Sequence, residues 1–296
     1  MHSWTIPTPD DFSFKEVCWF LDRDYDDCLH CIENQVITKL LRFQQHDQLV
    51  QISAQKQQLE VHLLQGTYHD QLGKVIIDYI LEWFDLKRDL SPFYHQLRQN
   101  DALAQQVMKH QGLRLISIID LFEALSWAII GQQINLRFAY QLKRNLVQRY
   151  GASQTFQNQI HYLFPSPEKI AGSTVEELKK LKLSTRKSEY LIGIAERMVK
   201  GDLSKRKLLD LAHTSSMITE LCNIRGIGEW TANYALMKCL KRMDAVPYGD
   251  AGLIKAIQLV NQMEQRPSRE EQVLFFKELA GWEAYTTFYL WQSLSV

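Results

Sequence analysis

The sequence carries no net charge: lysine plus arginine and aspartate plus glutamate number 34 each in 296 residues. A chain that coats nucleic acid or an anionic membrane through bulk charge needs a basic excess, which is missing here. A neutral total still allows one basic face. No apolar run approaches the ~18–20 residues of a membrane span, so none is expected. The opening Met1-His2-Ser3-Trp4-Thr5-Ile6-Pro7 lacks the basic and apolar regions of a secretory signal. Cysteine is scarce, five scattered residues, and an odd number argues against a disulfide framework. Cys28-Leu29-His30-Cys31, with Cys18 nearby, finds no second Cys pair or spaced His pair to complete a tetrahedral metal site. The expectation is a cytoplasmic protein with unpaired helical thiols and no metal cofactor.

What is present is ordinary in amount and uneven in pattern. Apolar residues make up 46% and charged residues 23%, a globular composition with length for two domains or three small ones. Phe12 to about Asn34 reads as a helix with Phe14, Val17, Cys18, Phe20 and Leu21 on its apolar side. Val36–Phe43, Leu49–Ala54 and Leu59–Leu64 are short runs between polar turns. Their partial alternation (Leu49-Val50-Gln51-Ile52, Leu59-Glu60-Val61-His62-Leu63) predicts an antiparallel sheet. A helix follows from about His69 to Trp83. From Pro92 onward strand signals vanish and helical periodicity runs to the end. The fold class is therefore α+β, with an N-terminal sheet domain over 1–92 and an all-helical region over 93–296.

Within the helical region, Ile118–Ile130 is apolar enough for a central core helix. It runs into the polar break Gly131-Gln132-Gln133-Ile134-Asn135, before an amphipathic helix over Leu136–Arg149. Ser166-Pro167 and Ser173 or Thr174 read as helix starts. Lys182, Arg186 and Lys187 cluster near another start, either as phosphate contacts or as a solvated face. The most informative stretch is Leu221-Cys222-Asn223-Ile224-Arg225-Gly226-Ile227-Gly228-Glu229-Trp230-Thr231-Ala232-Asn233-Tyr234. Two glycines flank one apolar residue between helical segments, within about 217–240. Such a turn lets backbone N–H groups point outward together with a helix N-terminus, which suits a phosphate. An ordinary helix–helix turn is the competing reading.

The run Gly226-Ile227-Gly228-Glu229-Trp230-Thr231-Ala232-Asn233-Tyr234-Ala235 is followed by Val246-Pro247-Tyr248-Gly249-Asp250. Together they resemble the helix–hairpin–helix DNA glycosylases, and within them most the DNA-3-methyladenine glycosylase II group. The resemblance is firm from about Leu113 onward and implies a helical core of two subdomains after a small sheet domain. It implies double-stranded DNA with alkylated bases as partner, a monomer, and a hairpin (Gly226, Ile227, Gly228) that grips a phosphate, often through a monovalent cation. It also implies a catalytic Asp250 and a pocket lined by Trp230, Tyr234 and Trp282. Gln133 then falls in the loop that wedges into the duplex, where the alkylation enzymes often carry an apolar residue; a plain helix-boundary amide is its alternative.

These residue types fit the chemistry. A flipped base is held by π-surface, and alkylated purines are cationic, which aromatic faces attract. Trp230 and Tyr234 share one helix face, although aromatics there also serve as core. Positive charge developing on the sugar meets the carboxylate of Asp250, which suits a helix N-cap as well. Asp244 sits at the wrong distance from the hairpin. Relatives that also cut the strand use a Lys where Trp230 stands, so a monofunctional enzyme is expected. The C-terminus also lacks the four-Cys cluster that holds iron and sulfur in some of these enzymes. The competing class is a non-catalytic helix–hairpin–helix protein that binds damaged DNA; it would not need Asp250.

Overall fold

The computed structural model describes residues 2–23, 25 and 27–294. Five strands, β1 (Ser3–Pro7), β2 (Cys31–Glu33), β3 (Val36–Phe43), β4 (His46–Gln55) and β5 (Gln58–Gln65), form one antiparallel sheet. Its order is β1-β5-β4-β3-β2. The alternation in β4 and β5 sends Val50, Ile52, Leu59 and Val61 inward, where they share a core with Ile37 and Leu41 of β3. Helices α1 (Phe14–Leu21) and α2 (Leu72–Trp83) complete that core with Val17, Leu72, Ile76 and Ile80. The approach of α2 to β1 is close: a Cβ on Gly73 would lie 2.2 Å from the Trp4 indole nitrogen.

The N-terminal helix is shorter than its apolar pattern suggests. It ends at Leu21 and residues 31–33 become a strand, because the acid-rich sequence after Leu21 offers no apolar face. Cys18 alone of the early cysteines is helical, and all five thiols are free. Strand β1 was not foreseen, although Trp4 and Ile6 alternate.

Thirteen further helices follow: α3 (Ser91–Leu97), α4 (Asp101–Met108), α5 (Leu121–Gly131), α6 (Leu136–Tyr150), α7 (Pro167–Ala171), α8 (Val175–Lys180), α9 (Thr185–Val199), α10 (Lys205–Leu209), α11 (Thr214–Cys222), α12 (Glu229–Leu240), α13 (Ala251–Val260), α14 (Arg269–Lys277) and α15 (Glu283–Gln292). The starts read from sequence are real caps: Thr174 forms a full capping box with Glu177, and Ser166 precedes Pro167 at the first position of α7. One strand pair interrupts the helices, β6 (Ser153–Phe156) with β7 (Gln159–Tyr162). The region after Pro92 is thus not purely helical. The turn is built from Gln157 and Asn158, both at positive φ, without the glycine that marks such hairpins.

The helices pack as two groups. In one, α5 is central against α6, α9 and α12, with α11 on α12 and both α7 and α8 on α9. In the other, α13 and α15 pack with α3, α4 and α14. The C-terminal helix is bolted to the first third of the chain. Tyr289 donates to the Leu113 carbonyl (2.6 Å) and meets the Tyr94 hydroxyl (3.0 Å), while Tyr285 donates to buried Asp85 (2.8 Å). Where these groups meet the N-terminal region, a cavity of about 850 Å³ opens. Among the described residues no helix is long and apolar enough to cross a membrane.

Candidate active site

Helix α12 starts at a turn that its two glycines shape differently. Gly226 has φ +94°, and a Cβ there would lie 2.3 Å from the Tyr190 ring, so the fold itself demands glycine. Gly228 is the N-cap of α12 with ordinary φ −96°, and a Cβ there would meet nothing within 4 Å. The fold does not require glycine at this exposed position. Ile227 turns inward: its side chain is buried and its N–H donates to the Ile224 carbonyl (3.0 Å). It therefore offers no donor to a phosphate, which corrects the expectation from the motif. Glu229, beside the helix start, is paired with Arg269 (2.5 Å), so its charge is offset there.

The polar break after α5 is tied to this turn. Gln132 donates to the Gly226 carbonyl (3.1 Å) and to the Thr231 hydroxyl (3.0 Å). Lys187 donates to the Ile130 and Gln132 carbonyls (2.7 and 2.9 Å), satisfying the end of α5. Two of its three N–H donors are used inside the protein, so it braces the end of α5; Lys182 and Arg186 are exposed. Between these anchors Gln133 stands exposed at φ +57°, pushed out by the loop.

Asp250 is the N-cap of α13, placed by the turn Pro247-Tyr248-Gly249, in which Gly249 has φ +83°. Its Oδ1 accepts from the Leu253 backbone N–H (2.8 Å) and from the Trp291 indole (2.8 Å). Its Oδ2 accepts from the Trp230 indole (3.2 Å). Three N–H donors thus fix one carboxylate at the cavity wall, and Oδ2 keeps a lone pair for a ligand. Asp244, by contrast, accepts from Thr214 (2.7 Å) and lies 3.6 Å from Arg242, as part of the α11–α12 framework.

Two aromatic groups line the same cavity. Trp230 stacks on Tyr234 (5.6 Å), and Tyr234 leans on Trp291 (6.0 Å). Tyr140 stacks on Tyr25 (5.2 Å, 3° between planes) and contacts Trp127 (4.5 Å), which in turn hydrogen-bonds Tyr234. Burial pushes the Tyr234 and Tyr140 phenols up, so both are neutral donors across the physiological range. Deeper in, Lys143 is paired with Asp27 (3.0 Å) and Glu123 (3.2 Å). Burial opposes the Lys143 ammonium, but the two carboxylates outweigh it and raise its pKa. Lys238, one turn below Tyr234 on α12, also lines the cavity.

Trp282 does not belong to this wall. It packs between Phe93 (5.5 Å) and Tyr285 (5.9 Å) at the start of α15, outside the cavity. The last turn of the same helix delivers Trp291 instead. Tyr25, Trp127, Tyr140, Lys238 and Trp291 went unread in the sequence. Trp127 alone left a trace, as the bulky half-exposed residue of an otherwise apolar helix.

A sheet domain joined to two helical groups, a helix–hairpin–helix and an aspartate-bearing aromatic cavity between them define a base-excision DNA glycosylase. The chain belongs to the HhH-GPD superfamily of base excision DNA repair proteins, whose signature it matches over residues 126–280. Residues 29–125 match the N-terminal domain of 8-oxoguanine DNA glycosylase. The chain is 40% identical over 292 residues to a DNA-3-methyladenine glycosylase of Bacillus subtilis (strain 168), covering 98% of this chain and 96% of that one. Among solved structures, a 3-methyladenine DNA-glycosylase from Archaeoglobus fulgidus superposes with TM-score 0.85 at 20% identity, covering 97% of each chain. An 8-oxoguanine glycosylase/lyase from Clostridium acetobutylicum superposes with TM-score 0.77 at 19% identity, over 98% of this chain and 95% of that one. Both likenesses concern the fold.

Proposed function

We propose that this DNA glycosylase removes alkylated bases of the 3-methyladenine type from double-stranded DNA by hydrolysis alone, without cutting the strand. The observation that carries the reading is Asp250, held by two indole N–H groups at the wall of an aromatic cavity. The 40% identity to a DNA-3-methyladenine glycosylase supports the substrate class. A purely damage-binding module needs the hairpin and the wedge but not this carboxylate.

In the proposed reaction the hairpin holds the backbone through the start of α12 while Gln133 fills the gap left by the flipped base. The base stands between the Trp230/Tyr234/Trp291 wall and the Tyr25/Tyr140/Trp127 wall. The electron pair of the C1′–N bond leaves with the base, which becomes neutral if it entered as a cation. Asp250 stabilises the positive sugar that remains, and Oδ2 orients a water toward C1′. A C1′–O bond forms, the water's proton passes to the carboxylate, and a free base and an abasic site result. Trp230 stands where the lyases of this family place their lysine, so no Schiff base forms there. A monovalent cation at the hairpin is compatible with the Ile224 and Gly226 carbonyls, each of which accepts one hydrogen bond and keeps a lone pair. A cytoplasmic monomer completes the proposal.

The test is single-turnover incubation with methylated duplex DNA, followed by alkali to reveal abasic sites, and a parallel reaction with borohydride. Free 3-methyladenine with no strand break before alkali and no trapped adduct is the expected result. A borohydride-trapped protein–DNA adduct overturns the hydrolytic mechanism. Binding without base release overturns the enzyme reading.

A further inference from the structure

Lys238 is 5% exposed and lines the cavity on the same face of α12 as Trp230 and Tyr234. Its amine donates to the Ile116 carbonyl and lies 4.7 Å from the Phe288 ring and 5.5 Å from the Phe20 ring. The other buried lysine of the cavity, Lys143, has two carboxylates within 3.2 Å. Lys238 has no such counter-charge among the described residues. An uncompensated amine at this depth costs the fold free energy, and such groups concentrate where a ligand uses them. Burial, then the charge of Arg23, bring it down to about 7, so both of its states are populated near neutrality.

We propose that Lys238 is a specificity-determining residue whose protonation decides whether the cavity accepts a positively charged base, while uncharged bases are indifferent to it. The inference rests on the reading that a flipped base occupies this cavity. The neutral amine presents a lone pair and adds no positive charge to a cavity whose aromatic faces and Asp250 carboxylate both favour a cation. The ammonium instead places a like charge in the same low-dielectric space.

Among the described residues the surroundings do not cancel that charge. Arg23, from the segment after α1, acts on Lys238 with the same sign and is itself held by the Phe20 carbonyl and Gln292. Asp22 lines the cavity but is not among the groups that shift Lys238. From α15 come uncharged Phe288 and Gln292, and from the segment before α5 only the Ile116 carbonyl. Lys143 of α6 and Lys39 of β3 lie toward Asp27 and Glu123. His30, also on the cavity, has its pKa lowered by burial against the pull of Asp27. Tyr140 and Tyr234 are neutral throughout.

The experiment is kcat/KM for base release between pH 6 and pH 8.5, on one duplex carrying cationic 7-methylguanine and one carrying neutral hypoxanthine. It compares the wild type with Lys238→Met, and with Lys238→Gln should the first variant fail to fold by thermal melting. Since kcat/KM reports ionisations of the free enzyme, wild-type release of 7-methylguanine is expected to rise on the order of tenfold from pH 6 to pH 8. That rise should be absent in Lys238→Met and absent on hypoxanthine. Lys238→Arg, charged at every pH, should stay low on 7-methylguanine throughout. Matching profiles in wild type and Lys238→Met, or an equal rise on hypoxanthine, overturn the inference while leaving the glycosylase reading intact. No release of either base by the wild type overturns the glycosylase reading instead.

Discussion

Replacing Asp250 by asparagine separates the chemical role of the carboxylate from its structural one. Asparagine caps helices about as well as aspartate, so the bond from the Leu253 N–H survives. The same amide oxygen keeps the Trp291 indole, which shares Oδ1. What changes is Oδ2: an NH2 group now faces the Trp230 N–H, donor against donor, where an acceptor stood at 3.2 Å. Losing one half-buried hydrogen bond to a charged acceptor costs about 1.5–3 kcal/mol, and less if the indole rotates to water. The fold should therefore persist with a modestly lowered melting temperature. The sugar cation, however, loses its fixed counter-charge. Removing one preorganised electrostatic group typically slows the chemical step about 10²–10³-fold, or ~2.7–4 kcal/mol of transition-state stabilisation.

The assay is single-turnover release of 3-methyladenine from methylated duplex, beside affinity for duplexes holding abasic-site analogues. A neutral analogue should bind with little change, because the carboxylate acts on charge that exists only as the bond breaks. A cationic sugar mimic should lose affinity. Release by Asp250→Asn at nearly the wild-type rate, with the fold intact, would refute the mechanism and leave the aromatic walls acting on a charged leaving group alone.

Other predictions concern the two glycines and two buried charged residues, Asp27 and Lys238. Gly226→Ala should lower the melting temperature, since φ +94° and the Tyr190 ring both oppose a Cβ, at a cost above ~1 kcal/mol. Gly228→Val should melt like wild type yet bind every DNA sequence more weakly; unchanged binding makes the turn purely structural. Asp27 is buried, which alone would raise its pKa, but Lys143 and then His30 hold it below the usual carboxylate range. Its stabilisation is therefore complete above the unfolded value near ~3.9 and lost as pH falls below it, so Asp27→Asn and wild type should converge in stability toward acid. Lys238 shares that sign in a different window: its folded pKa also lies below the unfolded one, so the unfolded chain binds more protons between about 7 and ~10.4. Wild type should gain stability relative to Lys238→Met across that window, by urea melts at several pH values.

Much of this architecture is written locally. Strands β3, β4 and β5 follow from alternation, and Thr174, Asn135 and Asp250 are caps that a short window of sequence shows. The hairpin is legible because Gly226 answers a steric demand and Gly228 leaves open space, both consequences of a missing side chain. What was not legible depends on distance. Ile227 sits in the motif, yet whether it points outward is decided by the core that receives it. Lys187 reads as a surface cation until the Ile130 and Gln132 carbonyls, far away in sequence, accept its hydrogen bonds. Trp282 and Trp291 lie on one short helix, and only the docking of α15 decides which indole reaches the cavity. The β6–β7 turn escaped because Gln157 and Asn158 adopt positive φ without glycine.

The dependence on α15 also explains why the N-terminal region is part of the site. Asp250 is oriented by Trp291, and Trp291 is carried by a helix that Tyr285 and Tyr289 fasten to Asp85 and Leu113. Asp85 is itself held by Arg88 (2.7 Å) and Lys241 (3.1 Å), the latter just past α12. The carboxylate, its two indoles and the end of α12 are thus closed in one ring of contacts that passes through the first third of the chain. Tyr25 and Asp27, contributed before β2, line the same cavity, with Asp27 paired to Lys143 of α6. A helical core cut free of residues before Ser91 would keep the hairpin and Asp250 but lose the Tyr285–Asp85 anchor of α15 and, from the aromatic walls, Tyr25. DNA contact and base chemistry therefore depend on different extents of the chain: the hairpin is braced within the helical region by Gln132 and Tyr190, whereas the cavity needs both ends.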